Sequence, residues 1–240
     1  MQNSGNKIKL AVMQPYFFPY IGYFQVMNAV DKYIVYDDVN YIKGGRINRN
    51  TILVGGAAKP INLLLDGASP NKLINEIELL HDKVAEAKFL KTLTMNYSKA
   101  PYFETVFPMI EKIMNDPEKN LAVFHYNTFK VLCEYMGITT ELILSSTLDK
   151  YCSLKSAEKL YHICEIMNAG EYYNSINGQE LYSHEEFEKR GLKLHFLKAN
   201  DDIVYKQFKN EFVPNLSIID VMMFNSVEEI QKLLTMYTLS

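Results

Sequence analysis

A strand, a helix and a second strand follow one another within about thirty residues near the start of the chain, and this order constrains the fold more than any other feature. Residues 9–13 form an apolar run that Pro15 soon interrupts, which is typical of a buried strand. Between residues 21 and 30 the apolar positions recur every three to four residues, which predicts a helix. Residues 33–36 are β-branched or aromatic and predict the second strand. So short a crossover favours parallel strands, and we therefore predict an α/β fold with a Rossmann-like parallel sheet.

The rest of the chain alternates between helix and strand patterns, with glycine and proline between them. Residues 51–54 and 60–65 predict a small hairpin inserted after the second parallel strand. A helical section at about 72–137 follows, with helices predicted at residues 72–97, 102–114 and 121–136. Further strands are predicted at residues 140–144, 171–174 and 192–196, and further helices at residues 156–168, 216–224 and 227–236. We expect a single α/β domain over residues 1–240.

The composition is that of an ordinary globular protein, with 48% hydrophobic and 22% charged residues. A formal net charge of -3 argues against a non-specific grip on nucleic acid, which requires a concentrated basic surface. Cys133, Cys152 and Cys164 are widely spaced and indicate neither a disulfide framework nor a zinc knuckle. The N-terminus lacks the apolar segment of a signal peptide, and no run is long enough to span a bilayer. We therefore expect a soluble, cytoplasmic protein that acts on small molecules and can form a homo-oligomer.

The loop after the first strand carries Gln14, Tyr16 and Tyr20 and is stiffened by two prolines. Gly22, just beyond it, permits close approach to the backbone where the helix begins. Amide groups at such a helix start can bind a phosphate or a carboxylate, but a hydrophobic turn that closes the end of the sheet fits equally well. The order of elements resembles that of nucleotidyltransferases, in which histidines stabilise the reacting phosphate. Tyr20 and Tyr23 occupy those places here and supply no cation, so the similarity concerns the fold alone.

Two adjacent carboxylates, Asp37 and Asp38, follow the second strand. Paired carboxylates can serve as a general base or hold a divalent metal. The next residues carry basic and amide groups that can hydrogen-bond a phosphate or carboxylate, namely Lys43, Arg46, Asn48, Arg49 and Asn50. A charged loop that pairs with itself is the alternative interpretation. Because the carboxyl ends of parallel strands share one sheet edge, we predict that this cluster lies beside the first loop.

Short polar side chains after later strands add weaker candidates. Ser145 and Ser146 can hold phosphate oxygens, although helix capping is the commoner role of such residues. Asn174 precedes a turn near Gly178 and can present its amide to a ligand, but an ordinary turn explains it equally well. The histidines show neither metal-ligand spacing nor a neighbouring serine nucleophile, and they are His81, His125, His162, His184 and His195.

Several motifs resemble those of the WbqC-like protein family. They lie at residues 13–25, 36–39, 47–50 and 216–220, with shorter matches at residues 97–102, 144–146, 172–174 and 212–214 and at Gln207. The resemblance covers nearly the whole chain and implies a role in the synthesis of O-antigen, lipopolysaccharide or another surface polysaccharide, with glycine or a related aminoacyl group transferred to a sugar. The chain departs from the family's usual pattern at residues 45–46 and 175–177, which bears on the identity of the substrate.

These observations combine into one predicted pocket at the ends of the first two strands. Asp37 or Asp38 is expected to deprotonate the nitrogen of a nucleotide-linked amino sugar, while Lys43 and Arg49 hold the phosphate or carboxylate of the other substrate. This transferase mechanism requires no cofactor. The predicted substrate-binding residues are Gln14, Tyr16, Tyr20, Gly22, Lys43, Asn48, Arg49, Asn50, Ser145, Ser146 and Asn174.

Two other functions fit the same sequence. In the first, the loop and Ser145-Ser146 bind ATP, and Asp37 or Asp38 carries Mg²⁺, so that the chain performs nucleotidyl or adenylyl transfer. It predicts magnesium-dependent thermal stabilisation by ATP. In the second, the chain is a non-catalytic protein whose tyrosine-rich surface binds a glycan or a partner.

Overall fold

The structure is a computed structural model that describes residues 7–149, 154, 156–209 and 211–240, so Cys152 and residues 1–6 lie outside the described residues. The strands are β1 (Ile8–Met13), β2 (Lys32–Val35), β3 (Arg49–Val54), β4 (Ala57–Asn62), β5 (Leu65–Asp66), β6 (Glu78–Leu79), β7 (Glu141–Leu144), β8 (Ala169–Ser175), β9 (Lys193–Ala199) and β10 (Tyr237–Leu239). The α-helices are α1 (Ile21–Asn28), α2 (Lys83–Tyr97), α3 (Phe103–Met114), α4 (Leu121–Met136), α5 (Ser156–Ile166), α6 (His184–Glu188), α7 (Ile218–Phe224) and α8 (Val227–Leu233). Short 3₁₀ turns lie at Ile74–Glu76, Ser145–Thr147 and Ile176–Leu181.

The central sheet has six strands in the order β10-β9-β8-β1-β2-β7. All neighbours are parallel except β10, which pairs antiparallel with β9 at the edge. The chain builds the sheet outward from β1 to β7, returns to the other side of β1 with β8, and then continues to β10. This is the strand order of a doubly wound fold, whose ligands bind at the carboxyl edge. The predicted α/β fold with a Rossmann-like parallel sheet is confirmed.

Alternate residues of the inner strands face two separate apolar cores. In β1, Leu10 and Val12 point to one side and Ala11 to the other, as the two-residue period of a strand requires. The first core contains Ala11 and packs against α1, α3, α4 and α7. The second contains Leu10 and Val12 and packs against α5 and α6. Burial on both faces explains why these strands are continuously apolar in the sequence.

The inserted hairpin and the helical section join the first core. β3 and β4 pair around Gly55 and Gly56, both with positive φ, in a turn that brings Val54 opposite Ala57. The predicted second hairpin strand at residues 60–65 is therefore wrong in its bounds, because this turn starts the strand at Ala57. Ile52, Leu53 and Phe89 share one apolar cluster with the residues of the central sheet.

The prediction of a helix over residues 72–97 is wrong for its first part. Asp82 accepts hydrogen bonds from the N–H groups of Val84 and Ala85, so the side chain of Asp82 caps a helix that begins only at Lys83. Before it, β6 pairs with β5 and the Leu79 N–H donates to the carbonyl oxygen of Lys119. After the 3₁₀ turn at Ile74–Glu76, long-range pairing thus replaces the predicted helix at residues 78–79.

Other helix ends match local signals in the sequence. α4 ends at Gly137, whose φ of 74° is in the left-handed region that glycine tolerates. Ser217 and Ser226 cap α7 and α8, so α7 begins two residues later than residue 216. The predicted last helix, at residues 227–236, ends at Leu233 instead, because the chain turns there to form the edge strand β10. Strand β10 and the short helix α6 were not predicted from the sequence.

Candidate functional site

A cleft of about 810 Å³ opens at the carboxyl ends of β2 and β7 and is closed on its outer side by α5. Leu73, Leu148 and Leu160 contribute apolar surface to it. The polar groups in its lining are Tyr36, Asp38, Asn40, Ser146, Lys159 and Tyr182. Its volume is within the range of sites for small molecules, about 300–1,000 Å³.

The central charged contact of the cleft joins Asp38 and Lys159. Lys159 Nζ lies 3.0 Å from Asp38 Oδ2 and donates to the Asp38 carbonyl oxygen at 2.7 Å. It also lies 5.1 Å from the centroid of the Tyr36 ring, within the range of a cation–π contact. The two charged side chains are only 12% and 16% exposed. An ion pair so shielded from water is held more firmly than a surface pair, and it fixes the Asp38 carboxylate against the cleft.

Lys159 was missed at the sequence level, although a signal existed. Helix α5 follows β7 and starts at the same edge of the sheet where the parallel strands end. The first turn of such a helix therefore lies beside the ligand site, and Lys159 is in that turn. Tyr182 was not among the predicted binding residues, because its ring is positioned by packing against Tyr172 and Phe187.

Two tyrosines supply neutral polar groups to the cleft. Burial raises the pKa of Tyr36 well above its usual value, and the nearby charge of Asp38 raises it further. Burial also raises the pKa of Tyr182, against the opposing effect of a hydrogen bond with Tyr172. Both hydroxyl groups thus stay protonated at neutral pH and can donate hydrogen bonds to a ligand.

Asp37, the other predicted catalytic carboxylate, is almost completely buried, with 1% of its surface exposed. Its Oδ1 accepts a hydrogen bond from the N–H of Ser146 at 2.9 Å. Its carbonyl oxygen accepts from the N–H of Asn75 at 3.0 Å. The structure therefore brings Asp37, Asp38 and Ser146 together, with Asp37 behind the cleft wall and Asp38 in it. Ser145 is fully buried beneath them.

The loop between β1 and α1 is held rigidly by other parts of the chain. Asn50 Nδ2 donates to the carbonyl oxygens of Phe17 and Phe18 at 3.0 and 2.6 Å, and Ser217 Oγ donates to that of Phe18 at 2.8 Å. Phe18 has a φ of 40°, in the left-handed region. The side chain of Asn50 is buried and engaged in these bonds, so it stabilises the loop.

Gln14 and Tyr16 lie in this loop, beside the buried Tyr23. The Gln14 carbonyl oxygen accepts a hydrogen bond from the Tyr23 hydroxyl at 2.8 Å, and the rings of Tyr16 and Tyr23 are 5.5 Å apart. Burial raises the pKa of Tyr16, and the charge of Arg46 opposes that rise. Neither Gln14 nor Tyr16 lines the cleft.

Gly22 is explained by its neighbour Tyr20. A Cβ at position 22 would lie 2.4 Å from Cε2 of the Tyr20 ring, so the absence of a side chain lets that ring pack on the helix. Tyr20 itself lines a second cavity, of about 400 Å³, at the end of β9. This cavity shares no lining residue with the cleft.

The basic and amide residues of the loop after β2 also lie outside the cleft lining. Asn48 is bound to its own hairpin region, since it accepts from the Tyr41 hydroxyl and donates to the Leu63 carbonyl oxygen. Arg49 Nε donates to the carbonyl oxygen of Gly45 at 3.0 Å. Lys43 and Arg49 are exposed. The residues predicted to form one pocket are thus distributed over the cleft, the second cavity and this loop.

Asn174 is the last residue but one of β8, is nearly buried and is not part of the cleft lining. Its Oδ1 accepts from the N–H of Ser175 at 2.8 Å, and a Cβ at Gly178 would come within 2.8 Å of its Nδ2. These contacts shape the turn after β8.

Among the described residues, no group of three or more His, Cys, Asp or Glu side chains is arranged to hold a metal ion. Burial raises the pKa of Cys133 and Cys164 to about 12, so both remain thiols at neutral pH.

Within the described part of the chain, no helix has the length and apolar character required to cross a membrane. The sequence profile of the WbqC-like protein family matches residues 14–232. A curated relative, the uncharacterized protein Rv1507c of Mycobacterium tuberculosis (strain ATCC 25618 / H37Rv), is 27% identical over 218 residues, which is 89% of this chain and 92% of the relative. No solved structure matches the chain.

Proposed function

Because this chain belongs to the WbqC-like protein family, we propose that it is a transferase of O-antigen or surface-polysaccharide synthesis, which moves glycine or a related aminoacyl or acyl group onto a nucleotide-linked amino sugar. The observation that carries the proposal is the Asp38–Lys159 ion pair in the wall of the cleft. A general base must be within reach of the substrate and held in a fixed position, and the place of Asp38 in the cleft lining and its contact with Lys159 support this role.

In the proposed reaction, the amino nitrogen of the sugar attacks the carbonyl carbon of an activated acyl donor such as a thioester. The C–N bond forms, the C–S bond breaks, the thiolate leaves, and Asp38 accepts the proton that the nitrogen loses. Lys159 acts as a positioning residue, because its two contacts to Asp38 orient the carboxylate. Tyr36 and Tyr182 donate hydrogen bonds to polar groups of the substrate.

The exposed basic side chains on the loop after β2 and at the start of β3 retain a place in this proposal. Lys43 and Arg49 are the proposed contacts to the phosphates of the sugar nucleotide, since both carry a positive charge in water at the same edge of the sheet. Their exposure supports a role for the charged part of the substrate, while the largely apolar cleft receives the rest.

The test is the Asp38→Asn variant, assayed with a nucleotide-linked amino sugar and a glycyl or short acyl thioester. We expect turnover to fall by about 100-fold or more, while the ligands still raise the melting temperature. Asp66→Asn, at an exposed carboxylate on β5, is the matched control and should retain full activity. Full activity of Asp38→Asn, with Asp66→Asn also active, would show that Asp38 is not the base.

A second candidate function is ATP- and Mg²⁺-dependent nucleotidyl or adenylyl transfer, favoured by the doubly wound strand order. Thermal-shift measurements with ATP and Mg²⁺ discriminate between the two. A magnesium-dependent rise in melting temperature with ATP, and none with amino-sugar nucleotides or thioesters, would favour the nucleotidyl reaction.

A further inference from the structure

The second cavity lies between the start of α1 and the segment that follows β9. Tyr20 and Ile21 form one side of it, and Tyr205 and Phe212 contribute to the other. Asn200, Asp201 and Asn215 supply its polar side chains, the last of these from a backbone with a φ of 59°. A volume of about 400 Å³ is enough for a small-molecule site.

A buried carboxylate fixes the wall that carries Tyr205. Asp220 Oδ2 accepts hydrogen bonds from the Tyr205 hydroxyl at 2.7 Å and from Gln207 Nε2 at 2.6 Å. Gln207 also exchanges two hydrogen bonds with the backbone of Val213, at 2.7 and 3.1 Å. The ring of Tyr205 packs edge-on against Phe212 with the centroids 5.0 Å apart. These contacts hold the aromatic wall in place before any ligand arrives, which reduces the entropy lost on binding.

The opposite wall is fixed by glycine. The Tyr20 ring packs directly over Gly22, where any side chain would displace it. Tyr20, Tyr205 and Phe212 all line the cavity, and among the described residues no ring contact joins Tyr20 to the other two.

The charge of the cavity indicates what kind of ligand it takes. Asp201 is the charged residue in the described lining, and its Oδ2 lies 3.0 Å from Nζ of Lys198. No lysine or arginine is among those lining residues, and the ammonium group of Lys198 beside them is already paired with Asp201. Its chemistry suits a neutral ligand with an apolar face and several hydroxyl groups.

We propose that this second cavity is a binding site for a neutral hexopyranose, distinct from the cleft of Asp38. A pyranose ring presents C–H groups on its faces, which pack against aromatic rings, and hydroxyl groups on its rim. The amide and carboxylate groups of Asn200, Asp201 and Asn215 can donate to and accept from neighbouring hydroxyls. The site does not depend on the transfer reaction proposed for the cleft.

The experiment is saturation-transfer NMR on the full-length protein with the methyl glycosides of glucose, galactose and N-acetylglucosamine, and with adenosine as a flat aromatic comparison. We expect at least one glycoside to bind, and Phe212→Ala or Asn200→Ala to weaken it by about tenfold or more. Phe107→Ala removes a half-buried aromatic ring that stacks on Phe103, away from the cavity, and should change the affinity by less than about twofold. Circular dichroism checks that each variant is folded. If Phe212→Ala is unfolded, Asn200→Ala alone serves as the test of the cavity.

Asp38→Asn separates this site from the cleft. We expect the glycoside to bind Asp38→Asn as it binds the wild-type chain, whether or not the transfer reaction is found. Absence of binding by all three glycosides, binding of adenosine alone, binding unaffected by both cavity variants, or loss of binding in Asp38→Asn would each overturn the proposal.

Discussion

Asp220 is a fully buried carboxylate whose hydrogen-bond partners, in the described part of the chain, are all neutral. It accepts hydrogen bonds from the hydroxyls of Tyr97 and Tyr205 and from the amide of Gln207, at 2.6 to 2.8 Å. Burial raises its pKa, and the three hydrogen bonds limit the rise. Tyr97 also accepts from the N–H of Leu53 at 2.7 Å, so one carboxylate links β3, α2, α7 and the segment after β9.

Replacing Asp220 with Asn should lower the free energy of unfolding by about 1–3 kcal/mol. The amide nitrogen of Asn would face hydroxyl and amide donors that require an acceptor, so at least one buried group would lose its partner. Urea denaturation at neutral pH measures the change. Tyr205→Phe, which removes a single donor, is the control and should cost less. An Asn variant as stable as the wild-type chain would contradict this account of the network.

At the scale of elements, the loop between β1 and α1 takes its shape from two distant elements. Asn50 of β3 donates to two consecutive carbonyl oxygens of the loop, and Ser217 at the start of α7 donates to one of them. The N–H of Ile218 also donates to the carbonyl oxygen of Pro19 at 2.9 Å. The inserted hairpin thus supports the loop at the carboxyl edge of the sheet, which local sequence alone does not show.

Asn50→Ala should destabilise the protein by about 1–3 kcal/mol, because the carbonyl oxygen of Phe17 would lose its donor and that of Phe18 would keep only Ser217. Asn62→Ala is the matched control: Asn62 is exposed on β4, the facing strand of the same hairpin, and its replacement should change stability by less than about 0.5 kcal/mol. Chemical denaturation of both variants checks this. Equal stability of the two would show that the loop does not rely on Asn50.

At the scale of the whole molecule, the doubly wound sheet explains why two cavities lie at one edge. The carboxyl ends of β2 and β7 open into the cleft on the side of α5, and the end of β9 opens into the second cavity beside α1. The sheet separates its two apolar cores, so loops from both faces reach the same edge.

The stability of the whole protein should depend on pH through His125. Burial lowers the pKa of His125 to about 3 from 6.5. Between these values the unfolded chain binds a proton that the folded chain does not, so His125 stabilises the fold less and less as pH falls from 6.5 towards 3. The slope is at most about 1.4 kcal/mol per pH unit. Asp220 has the opposite effect on stability: because its pKa is raised in the folded chain, it favours folding more as the pH falls.

The His125→Gln variant keeps an N–H donor at this position and removes the imidazole group that titrates. We expect the difference in melting temperature between wild type and variant to become smaller, or to reverse in favour of the variant, between pH 7 and pH 4. Thermal denaturation across this range measures it. Parallel pH profiles of the two proteins would show that His125 does not contribute to acid unfolding.

The carboxyl edge also shows how far the candidate site could be predicted. Asp38 and Ser146 were expected at the site and line the cleft, while Asp37 lies directly behind it. Lys43 and Tyr20 were expected beside them and lie elsewhere. Adjacent strand ends are predictable from the parallel order, but the direction of each loop depends on what it packs against.

Local patterns in the sequence by themselves determined the opening strand–helix–strand unit, the end of α4 at Gly137 and membership of the family, because these depend on short-range periodicity, glycine conformation and motif order. They also favoured a helix through residues 78–79, where strand pairing overrode the local pattern. Only the tertiary structure decided that Lys159 pairs with Asp38, 121 residues away, and that Asp220 meets Tyr97, 123 residues away. Contacts of this kind exist only once the sheet order brings distant segments together, and no local propensity encodes them.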